Sequence, residues 1–136
     1  MKPLLLIPHI HRTTHQIGLY IERSGLDVSQ AEAHILAHLA HSGECSIGDL
    51  HKAFAHKRST LTSVLDRLAA RNLIRREVHA TDRRSFVVSL TRQGKKLAAR
   101  VHSHLQALEK AALHRLGGDK AAAFQSMLQA VEDSVI

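Results

Sequence analysis

The chain has 136 residues, 44% of them hydrophobic and only 3% aromatic, and it carries a formal net charge of +7. This length suffices for one domain with an aliphatic core, and the basic excess indicates either a polyanionic partner or a well-solvated surface. The single cysteine, Cys45, excludes an intrachain disulfide and favours a reducing compartment. The apolar run Leu4–Ile7 is too short for an export signal or a membrane span, so we expect a cytoplasmic protein.

Apolar spacing predicts four helices in the first half of the chain. A first helix is predicted by the three-and-four spacing of Ile7, Ile10, Thr14, Ile17 and Ile21. A second helix is expected to begin at the capping box of Ser29 and Glu32, and a short third helix at Ser46. A fourth helix ends before Asn72, a residue type that tolerates a left-handed backbone. Its apolar stripe consists of Leu61, Val64, Leu65 and Leu68.

Two strands and two further helices follow. Residues 73–78 and 85–90 are expected to form a β-hairpin, because apolar and polar residues alternate in the second segment. A long fifth helix begins at Thr91 or Gln93, and Asp119 is expected to cap a sixth helix. The predicted fold is therefore mainly α with a small β-hairpin, in the order α-α-α-α-β-β-α-α. The apolar stripes of the outer helices have little in the chain to cover them, which favours a partner subunit.

The positive charge is concentrated in the middle of the chain. Residues 52–92 hold ten basic and three acidic residues, which accounts for the whole net charge of +7. Two short helices followed by a hairpin are typical of a winged helix-turn-helix, whose second helix enters the major groove of DNA. The outward side of the fourth helix is expected to carry Lys57, Arg58, Ser59, Thr62, Ser63 and Arg67. Hydroxyl and basic groups there can meet base edges and phosphates.

The expected tip of the hairpin carries three adjacent charges, Asp82, Arg83 and Arg84. Narrow A/T-rich minor grooves attract arginine, so a cation at this tip would extend the contact to a neighbouring groove. Asp82 would repel phosphate and is expected to brace an arginine. Ordinary surface charge is the alternative for the arginines. A further group, Arg71, Arg75 and Arg76, is expected to touch phosphate or solvent rather than bases.

The segments "KRSTLTSVLDRLAARNLIRRE" and "TDRRSFVVSLTRQGKKLA" resemble the MarR family of bacterial transcription regulators. The resemblance covers nearly the whole chain and implies a single domain, 1–136, with a winged-helix core at 26–92. Residues 1–25 and 93–136 would form dimerisation helices. It also implies a homodimer, usually a repressor, that binds a pseudo-palindromic operator in double-stranded DNA. A small phenolic or aromatic ligand, oxidation or a metal would control this binding.

The resemblance also assigns roles to residues. It implies that Arg84 or Arg83 enters the minor groove, and that Thr60 joins the neighbouring hydroxyl residues in the major groove. Thr60 alternatively caps the helix or packs inward. Asn72 stands where the family usually has glycine, and both residue types tolerate the same backbone conformation.

The twelve histidines make a metal-responsive regulator an alternative. His11 and His15, like His34, His38 and His41, have the helical spacing that zinc, nickel or copper ligands need. A polar face or a pH-sensitive dimer surface would use the same pattern. No carboxylate or thiol joins them at ligand spacing, so we expect neither a metal nor another cofactor. Cys45 lies outside the first helix, where redox-sensing relatives carry their cysteine.

The sequence also bears on two other classes of protein. An enzyme is not expected, because no nucleophile, acid–base pair or firm metal site has a suitable spacing. An RNA-binding module is a less favoured alternative, since RNA readers stack bases on exposed aromatic rings. The aromatic residues here fall on apolar stripes or strands: Tyr20, Phe54, Phe86 and Phe124.

Overall fold

A computed structural model of the chain describes residues 1–78, 81 and 86–135. Within these residues the chain forms six α-helices and three short β-strands. It divides into two compact units, residues 1–103 and 104–136, and each is described by itself. The residues predicted at the hairpin tip, Asp82, Arg83 and Arg84, lie outside the described residues.

The elements confirm the predicted, mainly helical fold with a hairpin. Their order is α1 (Ile7–Glu22), α2 (Gln30–Ser42), β1 (Cys45–Ser46), α3 (Ile47–Phe54), α4 (Arg58–Ala70), β2 (Ile74–Val78), β3 (Phe86–Leu90), α5 (Arg92–Leu116) and α6 (Ala121–Ser134). The order contains one strand more than predicted. This strand, β1, pairs antiparallel with β3, so the sheet order is β1-β3-β2. Two residues are too few for an alternating pattern to indicate a strand.

Reciprocal side-chain caps fix the beginnings of α2 and α3, as the sequence predicts. The Ser29 hydroxyl accepts a hydrogen bond from the Glu32 backbone N–H at 3.1 Å, and the Glu32 carboxylate accepts one from the Ser29 N–H at 3.0 Å. Ser46 and Asp49 form the same pair, at 3.0 and 3.3 Å. Each box satisfies two amides that a helix leaves without an internal partner.

The predicted cap at Asp119 is wrong. Helix α6 begins at Ala121, its N-cap residue is Lys120, and no side chain caps it. The Lys120 N–H donates to the Gly117 carbonyl at 3.4 Å, so Asp119 lies inside the turn that this bond closes. Its carboxylate is therefore one residue too early in the chain for the capping position.

The core of the first unit is aliphatic. The apolar stripe predicted for α4 is fully buried, together with residues of α2, α3, β3 and α5. The largest fully buried side chains are Ile35, Leu36, Leu39, Leu50, Leu61, Val64, Leu65, Leu68, Val88 and Val101. Burial of such side chains stabilises the fold by roughly 1.5–3 kcal/mol each. The orientation of α4 about its own axis is thereby fixed.

Both ends of the chain expose apolar side chains. In the first unit, Leu5 before α1 is 84% exposed. In the second unit, α6 has no buried residue, and Phe124 and Met127 are 49% and 67% exposed. Phe86 on β3, like Phe124, had been predicted on an apolar face, and it is 43% exposed. No helix in the described ranges combines the length and the hydropathy needed to cross a membrane.

Thr91 and Gly94 attach the beginning of α5 to the turn that follows α4. The Thr91 hydroxyl donates to the Asn72 carbonyl at 2.7 Å and accepts from the Gly94 N–H at 2.9 Å. The Thr91 N–H donates to the Leu73 carbonyl at 3.0 Å. Asn72 has the predicted left-handed backbone, with φ of +58°. A Cβ at Gly94 would lie 1.9 Å from the Leu73 carbonyl oxygen, so this close approach requires glycine.

We expect Gly94→Ala to lower the free energy of unfolding by about 2–3 kcal/mol, because the added methyl group overlaps a backbone carbonyl. Urea denaturation followed by circular dichroism measures the change. Gly48→Ala is the matched control, because the atom nearest to its Cβ would be the Ser46 Oγ at 3.7 Å. The control should be unchanged or stabilised by up to about 1 kcal/mol. Equal stability of the two variants would contradict the packing described for Gly94.

Candidate nucleic-acid interface

Helix α4 presents polar and basic side chains on the side opposite its buried stripe. The Thr62 hydroxyl donates to the Arg58 carbonyl at 2.9 Å. Thr60 is exposed and the N-cap residue is Lys57, so Thr60 neither packs inward nor caps the helix. All residues predicted for this face are exposed: Lys57, Arg58, Ser59, Thr60, Thr62, Ser63 and Arg67. We call this exposed side of α4, from Lys57 to Arg67, the α4 face.

The N-terminal end of α4 suits an anion. Its N-cap residue Lys57 makes no side-chain cap, and its first turn contains no acidic residue. The first backbone N–H groups of a helix point outward, and the helix dipole adds partial positive charge there. Lys57 and Arg58 add two full charges at the same end, an arrangement that can hold a phosphate.

One acidic residue, Asp66, lies on the α4 face, and no role for it is predicted from the sequence. It follows Ser59 by seven residues, or about two helical turns, and so lies on the same side of the helix. Its Oδ1 accepts a hydrogen bond from Nη1 of Arg76 on β2 at 2.6 Å. The Arg76 side chain is still 34% exposed, so its predicted contact with phosphate or solvent stays a prediction. The sequence does contain a signal for the contact with Asp66, because Asp66 is the one acidic residue among the hydroxyl and basic residues of α4.

Arg71 is also held within the protein. Its Nη1 donates to the Asp27 carbonyl at 2.8 Å and lies 3.5 Å from Oε2 of the largely buried Glu32. This guanidinium attaches the end of α4 to the turn before α2, but its side chain is still 37% exposed, so the predicted contact of Arg71 with phosphate or solvent stays a prediction. These groups line an open cleft of about 620 Å³. Arg75 is exposed, and its predicted contact stays a prediction.

The hairpin is confirmed along its described strands. β2 and β3 pair antiparallel from Ile74 opposite Leu90 to Val78 opposite Phe86. The residues that the sequence predicts at the tip come after Val78 and lie outside the described residues. The minor-groove role of Arg83 or Arg84 and the bracing role of Asp82 therefore stay predictions.

Histidines from α2 and from the turn before α4 contact Phe54 of α3. The ring of His38 meets that of Phe54 edge-on at 5.2 Å, and the ring of His56 stacks on it at 5.8 Å. His51 Nδ1 lies 3.2 Å from the His56 carbonyl oxygen, while the Nδ1 of His56 is buried without a hydrogen-bond partner. Burial, and secondly the charge of His56, lower the pKa of the half-buried His34.

The histidine pair of α1 and Cys45 are the residues that the metal-responsive and redox alternatives invoke. His11 and His15 pair at 3.2 Å between their Nε2 atoms. Within the described residues, no three His, Cys, Asp or Glu side chains are arranged to hold a metal ion. Cys45 is buried, and burial, with the nearby charge of Asp49, raises the pKa of its thiol. A reactive cysteine needs the opposite shift of its pKa.

Comparison with known proteins connects this geometry to a family. Residues 24–85, which include α2 to α4 and β2, match the model of the MarR family. This segment of the chain is therefore similar to the MarR family. The HTH-type transcriptional regulator YfiV of Bacillus subtilis is 32% identical to the chain over 85 residues, which cover 62% of this chain and 53% of YfiV. The matched segment thus spans about half the length of that relative.

Solved structures share the fold of this chain. S. aureus MepR in complex with DNA has a TM-score of 0.84 at 21% identity, over 98% of this chain and 100% of MepR. PcaV from Streptomyces coelicolor, in complex with its natural ligand, has a TM-score of 0.81 at 20% identity, over 100% of both chains. At sequence identities of 20% and 21%, the structural similarity shows that this chain shares the fold of these proteins.

We expect acid to destabilise the protein partly through His34. Because the folded state lowers its pKa below the ordinary 6.5, the unfolded chain takes up the proton more readily. The stability that neutral His34 contributes is therefore complete above about pH 6.5 and is lost as the pH falls. Urea denaturation at about pH 7.5 and about pH 5.5 measures the loss.

His34→Gln should lose less stability over this pH range than the wild type. His41→Gln, which changes an exposed histidine of the same helix, is the matched control and should behave like the wild type. Losses of equal size in the wild type and in His34→Gln would contradict the assignment.

Proposed function

We propose that this protein is a sequence-specific DNA-binding transcription regulator, which as a homodimer represses from a pseudo-palindromic operator and responds to a small ligand. The observation that carries the proposal is the α4 face, where exposed hydroxyl groups follow Lys57 and Arg58 at a helix N-terminus. Such groups suit base edges and phosphates respectively. The match of residues 24–85 to the MarR-family model and the likeness in fold to DNA-bound MepR support it.

Each predicted residue has a part in this proposal. Lys57, Arg58 and Arg67 supply positive charge for phosphates, and the hydroxyl groups of the α4 face meet base edges in the major groove. Arg83 or Arg84 enters the adjacent minor groove, and Asp82 braces it. The hydroxyl residues are Ser59, Thr60, Thr62 and Ser63. Action on DNA would place the protein in the cytoplasm.

The homodimer is supported by apolar surface at both ends of the chain. In this proposal one domain, 1–136, has its DNA-binding core at 26–92, and residues 1–25 and 93–136 dimerise. The exposed side chains of Leu5 and Met127 and the lack of any buried residue in α6 are consistent with a cover from a second subunit. Each Å² of apolar surface that is covered contributes roughly 25 cal/mol.

In this proposal a small aromatic ligand controls the binding of DNA. The structure of PcaV with its natural ligand supports ligand binding in this fold. The buried Cys45, with its raised pKa, favours a ligand over oxidation of this residue as the signal.

We expect the wild type to sediment as a dimer at tens of micromolar, and Phe124→Asp to shift it toward the monomer, because the added charge would be buried at the interface. Gln125→Asp adds the same charge at the neighbouring exposed position of α6 and is the matched control. Sedimentation velocity at several concentrations measures both. A monomeric wild type would contradict the dimer.

DNA binding is tested with a duplex selected by the protein from a random pool. Fluorescence anisotropy then compares this duplex with a shuffled duplex and with single-stranded RNA of the same length. We expect the selected duplex to bind best, typically by a factor of 10³ or more over unrelated duplex. Equal affinities for the RNA and the selected duplex, or equal affinities for the two duplexes, would contradict the proposal.

Arg58→Ala should weaken the binding of the selected and the shuffled duplex alike, because a phosphate contact carries no sequence information. It should also reduce the slope of log K against log salt by about one, which corresponds to one released counterion. Arg100→Ala, on the exposed side of α5, removes the same charge outside the proposed DNA-binding core and is the control. An unchanged salt slope in Arg58→Ala would refute the contact.

A further inference from the structure

Asp66 is out of place on a surface that binds DNA. It is the only acidic residue of α4 and shares the side of the helix that carries Ser59 and Ser63. Its side chain is 57% exposed, so it is not buried for the sake of the core. A free carboxylate on a face that meets a duplex would be repelled by phosphates. Its presence on this face therefore needs a partner or a function.

Arg76 is the partner of Asp66, and it comes from the hairpin. The bond of 2.6 Å between Arg76 Nη1 and Asp66 Oδ1 is charge-assisted and short. Arg76 lies in the middle of β2, opposite Val88 of β3. The pair therefore joins the helix that carries the proposed reading residues to the strand at the base of the hairpin.

Stability alone does not account for this pair. The two side chains are 34% and 57% exposed, and ion pairs in such surroundings contribute about 0–1 kcal/mol. Its electrostatic effect on a polyanion is larger. While Arg76 donates to Asp66, its charge is compensated locally, and one fewer cation attracts phosphates irrespective of sequence.

We propose that Asp66 is a positioning residue for sequence discrimination, and this inference rests on the proposed DNA-binding function. Its carboxylate holds Arg76 and thereby fixes the hairpin strand against α4. Both elements are then oriented together for a matched operator, while Arg76 is withheld from phosphates of random sequence. The pair thus raises the ratio of specific to non-specific affinity without raising affinity itself.

Asp66→Asn tests this inference. Release of Arg76 should strengthen binding to the shuffled duplex by about fivefold near 0.15 M salt, the factor expected for one further released counterion. The slope of log K against log salt should steepen by about one for that duplex. Binding to the selected duplex should gain less, so that the specificity ratio falls, and the midpoint of urea denaturation should hardly change.

Two controls separate positioning from a simple change of charge. Glu77→Gln removes one negative charge from an exposed position on β2, next to Arg76 in sequence, and should leave the specificity ratio unchanged. The exchanged pair Asp66→Arg with Arg76→Asp keeps the net charge and re-forms the contact in reverse. It should restore the ratio toward the wild-type value, whereas Asp66→Arg alone should not.

The possible outcomes distinguish a failure of the proposed DNA-binding function from a failure of the inference about Asp66. A wild type that does not discriminate between duplexes would overturn both the proposed function and this inference. A wild type that discriminates, with an unchanged ratio and salt slope in Asp66→Asn, would overturn only this inference. Loss of preference at a single base pair in Asp66→Asn, without a gain on the shuffled duplex, would assign Asp66 to direct base contact instead.

Discussion

The structure depends on the burial of one side of α4. Leu61, Val64, Leu65 and Leu68 are almost completely buried, and each would cost several kcal/mol to expose or truncate. A helix with one side fixed in this way has no freedom to rotate, so its opposite side is determined by the sequence. The hydroxyl and basic residues of the α4 face are exposed because the apolar residues on the opposite side of the helix are buried. Their exposure needs no separate stabilising interaction.

Contacts at the C-terminal end of α4 add to this constraint. Arg71 attaches it to the turn before α2 through the Asp27 carbonyl, and the Thr91 hydroxyl binds the Asn72 carbonyl just beyond it. On its outer side, Asp66 bonds to the hairpin strand through Arg76. The helix is thus held by apolar packing on one side and by directional polar contacts on others. A rigid platform of this kind is what a helix needs if small displacements are to matter for recognition.

Much of the fold and the composition of the α4 face could be predicted from the sequence, because both follow from local rules. The capping boxes at Ser29 and Ser46 involve residues three apart, and Asn72 adopts the backbone that its residue type tolerates. The partners of Arg71 and Arg76 could not be predicted, because they depend on how separate elements pack. Strand β1 was missed because its two residues are defined only by pairing with β3.

The beginning of α4 differs from those of α2 and α3 in having no side-chain cap. No side chain caps the leading amides of α4, so these N–H groups are available to water or to a ligand. In a complex with a polyanion, an oxygen atom of the ligand would take the place that Ser29 and Ser46 occupy in the other two helices. Part of the affinity would then come from completing a secondary structure that the polypeptide leaves unfinished.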